Sequence, residues 1–149
     1  MESVFKEIEE LTSSFAPISL KEMDSVKLMN RVDEKFIFNT KCLPQILKDA
    51  LVNYKALEID GQRLQKYRST YFDTPDYLMY TIHHNGKKNR YKIRRREYVY
   101  SNMSFLEIKH KDNKGKTFKT RIKKTVEEEN FTPKSCDFII KNSPFKAEE

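Results

Sequence analysis

The chain has 149 residues, 29 Lys and Arg against 22 Asp and Glu, and a formal charge of +7. This length predicts a single domain over residues 1–149, and an aromatic content of 12% excludes a disordered polar chain. No apolar run approaches the roughly 18 residues that a membrane helix needs, and the acidic N-terminus is unlike a signal peptide, so we expect a cytoplasmic protein.

The first part of the chain shows both helical and extended patterns. Apolar residues at spacings of three and four predict a helix over residues 2–16. The pair Ser19 and Glu22 has the spacing of a capping box, which predicts the start of a short second helix. Alternating apolar residues then predict a strand over 31–39, and helical spacing predicts a helix over 43–54.

The middle of the chain predicts a hairpin, a helix and a run of strands. An Asp60-Gly61 turn predicts a hairpin over residues 57–72. Asp73 has the chemistry of an N-cap for a helix that begins near Pro75 and runs to about His83. Three strands are predicted after it, over residues 87–100, 103–112 and 116–124.

The positive charge is concentrated in these three strands. Residues 87–124 contain fifteen Lys and Arg and three acids, which gives +12. The rest of the chain has 14 cations and 19 acids, which gives −5. A mildly acidic body with one strongly basic segment predicts an anionic partner.

The basic residues alternate along each strand. Side chains two apart on a strand share a face, so each strand has a charged face and an opposite, more apolar one. The charged positions are Arg90, Lys92, Arg94 and Arg96 on the first strand, Glu107, Lys109 and Lys111 on the second, and Lys119, Arg121 and Lys123 on the third. Cationic faces opposite apolar faces are what a barrel with a charged interior would need.

A lumen of Arg and Lys needs a polyanion or interleaved carboxylates, because a buried unpaired charge is costly. Glu107 is the candidate internal counter-charge. Guanidinium groups bind phosphate oxygens two at a time and ammonium groups act as point charges, so mixed Arg and Lys suits a chain of phosphates. Since like charges repel, we expect alanine at Arg94 and Arg96 to leave the fold intact or to stabilise it.

Five short motifs carry a resemblance to a known family. They occupy residues 31–36, 71–74, 90–98, 105–109 and 119–121. Their order and rough spacing resemble the VTC domain, the polyphosphate polymerase domain of the CYTH-like triphosphate tunnel metalloenzyme superfamily. Arg31 stands where triphosphatases of the superfamily have a metal-binding glutamate, and this resembles the polymerase branch.

The resemblance implies an α+β fold built on an antiparallel β tunnel with flanking helices. It implies an N-terminal helix at 2–16, tunnel strands and helices at about 30–124, and a C-terminal tail at 125–149. About six strands are predicted here, where the family tunnel has eight. We therefore expect an incomplete tunnel, which is a truncated form, a fragment, or a half-tunnel that a second copy of the chain or a companion chain completes.

The resemblance also implies an activity and a set of residues. The activity is ATP-dependent polyphosphate synthesis, in which the γ-phosphoryl group of ATP is transferred to a growing chain with the help of Mn or Mg. The implied catalytic residues are Arg94, Arg96 and Lys109. The implied phosphate-binding residues are Lys35, Arg31, Arg90, Lys92, Lys119 and Arg121. No residue of this chain is assigned to the metal.

Two other functions fit the same residues. In the first, the chain is a half-domain that binds polyphosphate or nucleotide without catalysis. In the second, a basic sheet interleaved with tyrosines binds RNA, with bases stacked on the rings and cations along the backbone. No RNP-type motif is visible, which favours a phosphate chain over nucleic acid as the partner.

Overall fold

The computed structural model describes residues 2–23, 34–124 and 131–146. Its helices are α1 (Glu2–Ser14), α2 (Leu20–Met23), α3 (Leu43–Ala50), α4 (Leu78–His84) and α5 (Pro133–Asn142). Its strands are β1 (Ala16–Ile18), β2 (Lys55–Leu57), β3 (Tyr67–Phe72), β4 (Arg90–Tyr98), β5 (Met103–Lys111) and β6 (Thr117–Lys124). The chain divides into two compact units, residues 1–65 and 66–149. A single domain over the whole chain stays a prediction.

The first unit combines helices with a small parallel sheet. Helix α1 packs against α3, where the Lys48 ammonium lies 3.1 Å from the Glu7 carboxylate, and β1 pairs in parallel with β2. The guanidinium of Arg63 donates to the carbonyls of Thr12 (3.3 Å) and Phe15 (2.8 Å). The last carbonyls of a helix lack partners within the helix, so this cation stabilises the end of α1.

The predicted helices of this unit are present. Helix α1 covers most of the predicted range 2–16, and α3 begins at Leu43 as predicted but ends at Ala50 rather than near residue 54. The capping box forms, because Ser19 Oγ accepts from the Glu22 amide at 3.2 Å and the Glu22 carboxylate accepts from the Ser19 amide at 2.8 Å. The hydrogen bonds from the Ser19 hydroxyl and amide hold the pKa of Glu22 below its ordinary value.

The strand predictions for this unit are partly wrong. Residues 34–39 are irregular, while 31–33 lie outside the described residues. Asp60 and Gly61 do form a tight turn, with φ of 50° and 74°, that bridges Ile59 and Gln62. The predicted hairpin over 57–72 does not extend beyond this bridge: β2 pairs with β1, and β3 pairs with β4. Alternation shows that a segment has two faces but does not specify its partner.

The second unit is a four-stranded antiparallel sheet in the order β3-β4-β5-β6, and its last three strands are confirmed. One face of the sheet carries the core, in which Ile93, Leu106 and Ile108 pack with Met79 of α4 and Ile139 of α5. The fold is therefore α+β, as expected. The sheet is open, and the described residues contain no closed barrel, so the tunnel stays a prediction.

Helix α4 begins later than the sequence predicts. The Asp73 carboxylate caps it, as expected, but accepts from the amides of Met79 and Tyr80, both at 2.8 Å, so the helix begins at Leu78 rather than near Pro75. The residue before the helix, Tyr77, has a left-handed backbone with φ of 56°.

Helix α5 lies in the segment expected to be a tail. Its N-cap is Thr132, whose hydroxyl accepts from the Ser135 amide at 3.4 Å, and Pro133 occupies the first turn. A Thr-Pro pair is a start signal for a helix, so the sequence does contain an indication of α5. Among the described residues, no helix is long and apolar enough to cross a bilayer.

The packing of α5 on the sheet predicts opposite outcomes for two adjacent isoleucines. Ile139 is 2% exposed and Ile140 is 55% exposed. We expect Ile139→Ala to lower the free energy of unfolding by about 2–5 kcal/mol, because it leaves a cavity in the core. Ile140→Ala, with the same change in helix propensity, should cost less than about 1 kcal/mol in urea denaturation. Equal losses for the two variants would contradict the position of α5.

Candidate functional site

One face of the second unit's sheet is strongly positive. Opposite residues of an antiparallel pair share a face, and the register places Arg94 opposite Glu107, which lies opposite Arg121. The cations on this side, which we call the cationic face, are Arg90, Lys92, Arg94, Arg96, Lys109, Lys111, Lys119, Arg121 and Lys123. Glu107 is the one acid of strands β3 to β6 on it, and the opposite face carries the core.

Glu107 lies at the centre of the cationic face and is 2% exposed. Its Oε2 accepts from Arg94 Nη2 at 2.6 Å and Nε at 2.8 Å, and its Oε1 lies 3.0 Å from Lys119 Nζ. Burial raises the pKa of Glu107, but the hydrogen bonds from Arg94 and Lys119 outweigh burial and hold this pKa below its ordinary value. The carboxylate therefore stays charged and joins β4 to β6 across β5.

Arg94 is fixed by two partners. Burial lowers the pKa of its guanidinium, but the bonds to Glu107 and to the Tyr71 hydroxyl, 3.4 Å away, raise the pKa by more. The same bond from Arg94 lowers the pKa of Tyr71. Alanine at position 94 would leave Glu107 without its main partner, so we now expect this change to destabilise the fold rather than stabilise it.

Two further guanidinium groups lie on aromatic rings. Arg96 stands 4.4 Å from the centre of the Tyr67 ring and donates to Ser69 Oγ at 3.3 Å, and Arg121 stands 4.6 Å from the centre of the Phe105 ring. Stacking holds a guanidinium in place while its N–H groups, which lie in its own plane, remain able to bind an anion. These two residues are thus oriented without an acidic partner among the described residues.

The remaining predicted residues are placed in different ways. Lys109 is exposed on β5, Arg90 donates to the Lys87 carbonyl at 2.8 Å, and Lys92 Nζ lies 3.2 Å from His83 Nε2. Lys35 is an exposed residue of the first unit's irregular segment, and Arg31 lies outside the described residues. Seven of the nine predicted cations therefore share one face, and the roles of all nine stay predictions.

Sequence reasoning missed the contribution of β3 to this face. Tyr67, Ser69 and Tyr71 point to the same side as the arginines of β4, and each contacts one of them. Their alternation in the sequence was a usable signal, but the segment was predicted to pair with residues near 57. Because that pairing is wrong, the sequence did not predict the contacts of Tyr71 with Arg94 and of Ser69 with Arg96.

The described residues do not offer a metal site. They contain no group of three or more His, Cys, Asp or Glu that could hold a metal ion. The acid of the cationic face, Glu107, has Arg94 on one oxygen and Lys119 on the other. These groups do not fit a metal held by protein ligands, and the divalent metal that the resemblance implies stays a prediction.

Comparison with known proteins identifies the family. The family model described as the VTC domain matches residues 30–143. The chain belongs to the VTC domain family. The match confirms the resemblance seen in the motifs. Membership of this family indicates a function related to polyphosphate. No curated protein and no solved structure matches the chain.

The central position of Glu107 in this VTC domain predicts a loss of stability when its charge is removed. We expect Glu107→Gln to lower the free energy of unfolding by about 1–3 kcal/mol at pH 7, because Arg94 and Lys119 lose their acidic partner. Asp137→Asn is the control, since Asp137 is exposed on α5. Urea denaturation of both variants measures the difference.

Wild type and the Glu107→Gln variant also allow a test by pH. The folded pKa of Glu107 is depressed, so its stabilising contribution is complete above the ordinary glutamate value of 4.5 and is lost as the pH falls through the folded pKa. The stability difference between wild type and Glu107→Gln should therefore shrink below about pH 4.5. A difference that stays constant, or grows, on acidification would contradict the ion pairs.

Proposed function

We propose that the cationic face binds triphosphate and polyphosphate chains. The observation that carries this proposal is the charge of the face, on which nine cations and one acid leave +8. Every phosphate unit of such a ligand is anionic, and charge-assisted hydrogen bonds to it are about twice as strong as neutral ones. The family's link to polyphosphate supports the same ligand.

The arrangement of the cations suits a chain better than a single anion. They stand about 7 Å apart along each strand and about 5 Å apart between strands. The rows across the sheet are Lys92, Lys109 and Lys119; Arg94, Glu107 and Arg121; and Arg96, Phe105 and Lys123. A flexible polyanion can contact several rows at once, which a lone phosphate cannot do.

We further propose that the domain synthesises polyphosphate from ATP. In this reaction a terminal oxygen of the chain forms a bond to the γ-phosphorus, the bond to the bridging oxygen breaks, and ADP leaves with that oxygen. Phosphoryl transfer of this kind needs positioning and charge neutralisation rather than a protein nucleophile. Arg94, Arg96 and Lys109 are the proposed catalytic residues. Arg94 and Arg96 are neighbours on one face of β4, and Lys109 lies on β5 one position along that face from Glu107, the partner of Arg94.

Stacked guanidinium groups favour phosphate over RNA as the partner of this face. The rings of Tyr67 and Phe105 already carry Arg96 and Arg121 on one side. A platform that stacks successive bases needs open rings along the sheet. The face therefore fits a chain of phosphates better than a row of bases.

The open edges of the sheet support a completed tunnel as part of this proposal. Among the described strands, β3 and β6 lie at its edges, and β6 is exposed along most of its length. Unpaired edges favour pairing with further strands. A second copy or a companion chain would supply them and would enclose the bound anion.

Binding of inorganic tripolyphosphate tests the proposal directly. The double variant Arg96→Ala with Lys109→Ala should weaken binding by about 100-fold or more, because each of the two lost contacts to a charged group is worth about 1.5–3 kcal/mol. Neither residue pairs with Glu107, so the variant should fold. Isothermal titration calorimetry at low salt gives the affinities, and circular dichroism confirms folding.

The matched control is Arg68→Ala, because Arg68 is an arginine of β3 on the opposite face, with 75% of its side chain exposed. It should bind within about twofold of wild type. Equal losses in the double variant and the control would mean a diffuse charge effect and would refute the site. Native mass spectrometry of the complex counts its chains, and full affinity in a strict monomer would remove tunnel completion from the proposal.

A further inference from the structure

A cavity of about 470 Å³ opens beside the cationic face in the second unit. It lies between α4 and the end of β4 that continues past the last residue of β3. Its lining includes the aromatic rings of Tyr71, Tyr77, Tyr80, Tyr91 and His83, together with Lys92. The volume falls within the range of about 300–1,000 Å³ that small-molecule sites occupy.

Two residues connect the cavity with the cationic face. Tyr71 lines the cavity, and its hydroxyl accepts a hydrogen bond from Arg94. Lys92 lines the cavity as well, and its ammonium group contacts His83 at the helix end. A ligand in the cavity could therefore extend onto Lys92 and Arg94 of β4 without leaving the protein surface.

Two of the rings are placed to receive a flat ligand. Tyr77 and Tyr80 are 67% and 63% exposed. The Tyr80 ring is stacked on His84 at a centroid distance of 5.9 Å, and the Tyr91 ring is stacked more closely on His110, at 4.2 Å. The loop that carries Tyr77 is held by the Asp73 carboxylate, which accepts from the amides of Met79 and Tyr80. The cavity wall is thus fixed at the start of α4.

The backbone at Tyr77 is strained. Its φ of 56° is unfavourable for a residue with a Cβ atom, and an aromatic residue gains nothing from that conformation by itself. Its amide donates to the Thr74 carbonyl at 2.9 Å, and Thr74 Oγ1 accepts from the Leu78 amide at 2.9 Å. Such strain is typical of ligand sites, where the surrounding structure enforces it.

We infer that this cavity holds the base of a nucleoside triphosphate, stacked on Tyr77 and Tyr80, while the phosphates pass Lys92 onto the cationic face. The inference rests on the proposed function, and it names where the nucleoside part of that substrate lies. Stacking rings alone would suit many aromatic ligands. Rings that adjoin a phosphate-binding row select a ligand with a flat base at one end and a polyanion at the other.

The test compares two ligands that share a triphosphate but differ in the base. ATP and inorganic tripolyphosphate are titrated by calorimetry into wild type, Tyr77→Asn and Tyr80→Ala. Asparagine removes the ring at position 77 and tolerates a positive φ. Each ring removal should weaken ATP binding by about tenfold, within the range that base stacking on an aromatic side chain gives, and should leave tripolyphosphate binding within about twofold.

Two controls separate the ring from the fold. Tyr77→Phe keeps the ring and should bind ATP like wild type. Tyr100→Ala removes a tyrosine of the same unit, 53% exposed, outside the lining of the cavity, and should change neither ligand. Unchanged ATP affinity in both ring-removal variants, or equal losses of ATP and tripolyphosphate, would overturn the inference.

The same titrations distinguish a failure of the nucleoside site from a failure of the proposed phosphate binding. If wild type binds tripolyphosphate and ring removal has no selective effect on ATP, the nucleoside site is refuted and the phosphate face stands. If wild type binds neither ligand, both are refuted.

Discussion

Nine cations share one face of a four-stranded sheet, and their mutual repulsion is the constraint that the second unit must satisfy. The buried carboxylate of Glu107 offsets part of it by binding Arg94 from one side and Lys119 from the other. It can do so only because the strand register brings β4, β5 and β6 into line at that position. The remaining positive charge is an excess that an anionic ligand would neutralise.

The two faces of the sheet have different roles: one carries the apolar core, and the other carries the cations proposed to bind the ligand. Ile93, Leu106 and Ile108 pack against α4 and α5 on one side, so the apolar surface that stabilises the unit is buried on the face opposite the cations. The cationic face can then carry arginines held by stacking on Tyr67 and Phe105 rather than by acids. A face organised in this way presents its cations in fixed positions before the ligand arrives, which reduces the cost of binding.

Much of this arrangement could be predicted from the sequence. A period of two, repeated in three successive strands, specifies which residues share a face, and so the cations of β4, β5 and β6 were correctly grouped. Partners that are distant in sequence could not be found in this way. β3 was assigned to a hairpin with residues near 57, which hid Ser69 and Tyr71 as partners of the arginines. Lys35 and residues 34–39 show the same limit, because alternation without a partner strand does not make a sheet.

Tripolyphosphate should bind the cationic face and not the protein's positive charge in general. Nuclear magnetic resonance of the arginine side-chain Nε–H groups during a tripolyphosphate titration tests it most directly. The signals of Arg96 and Arg121 should shift with one common saturation curve, while those of Arg68 and Arg95, on the opposite face, should stay in place. Equal shifts on both faces, or shifts at Arg68 and Arg95 alone, would contradict the account.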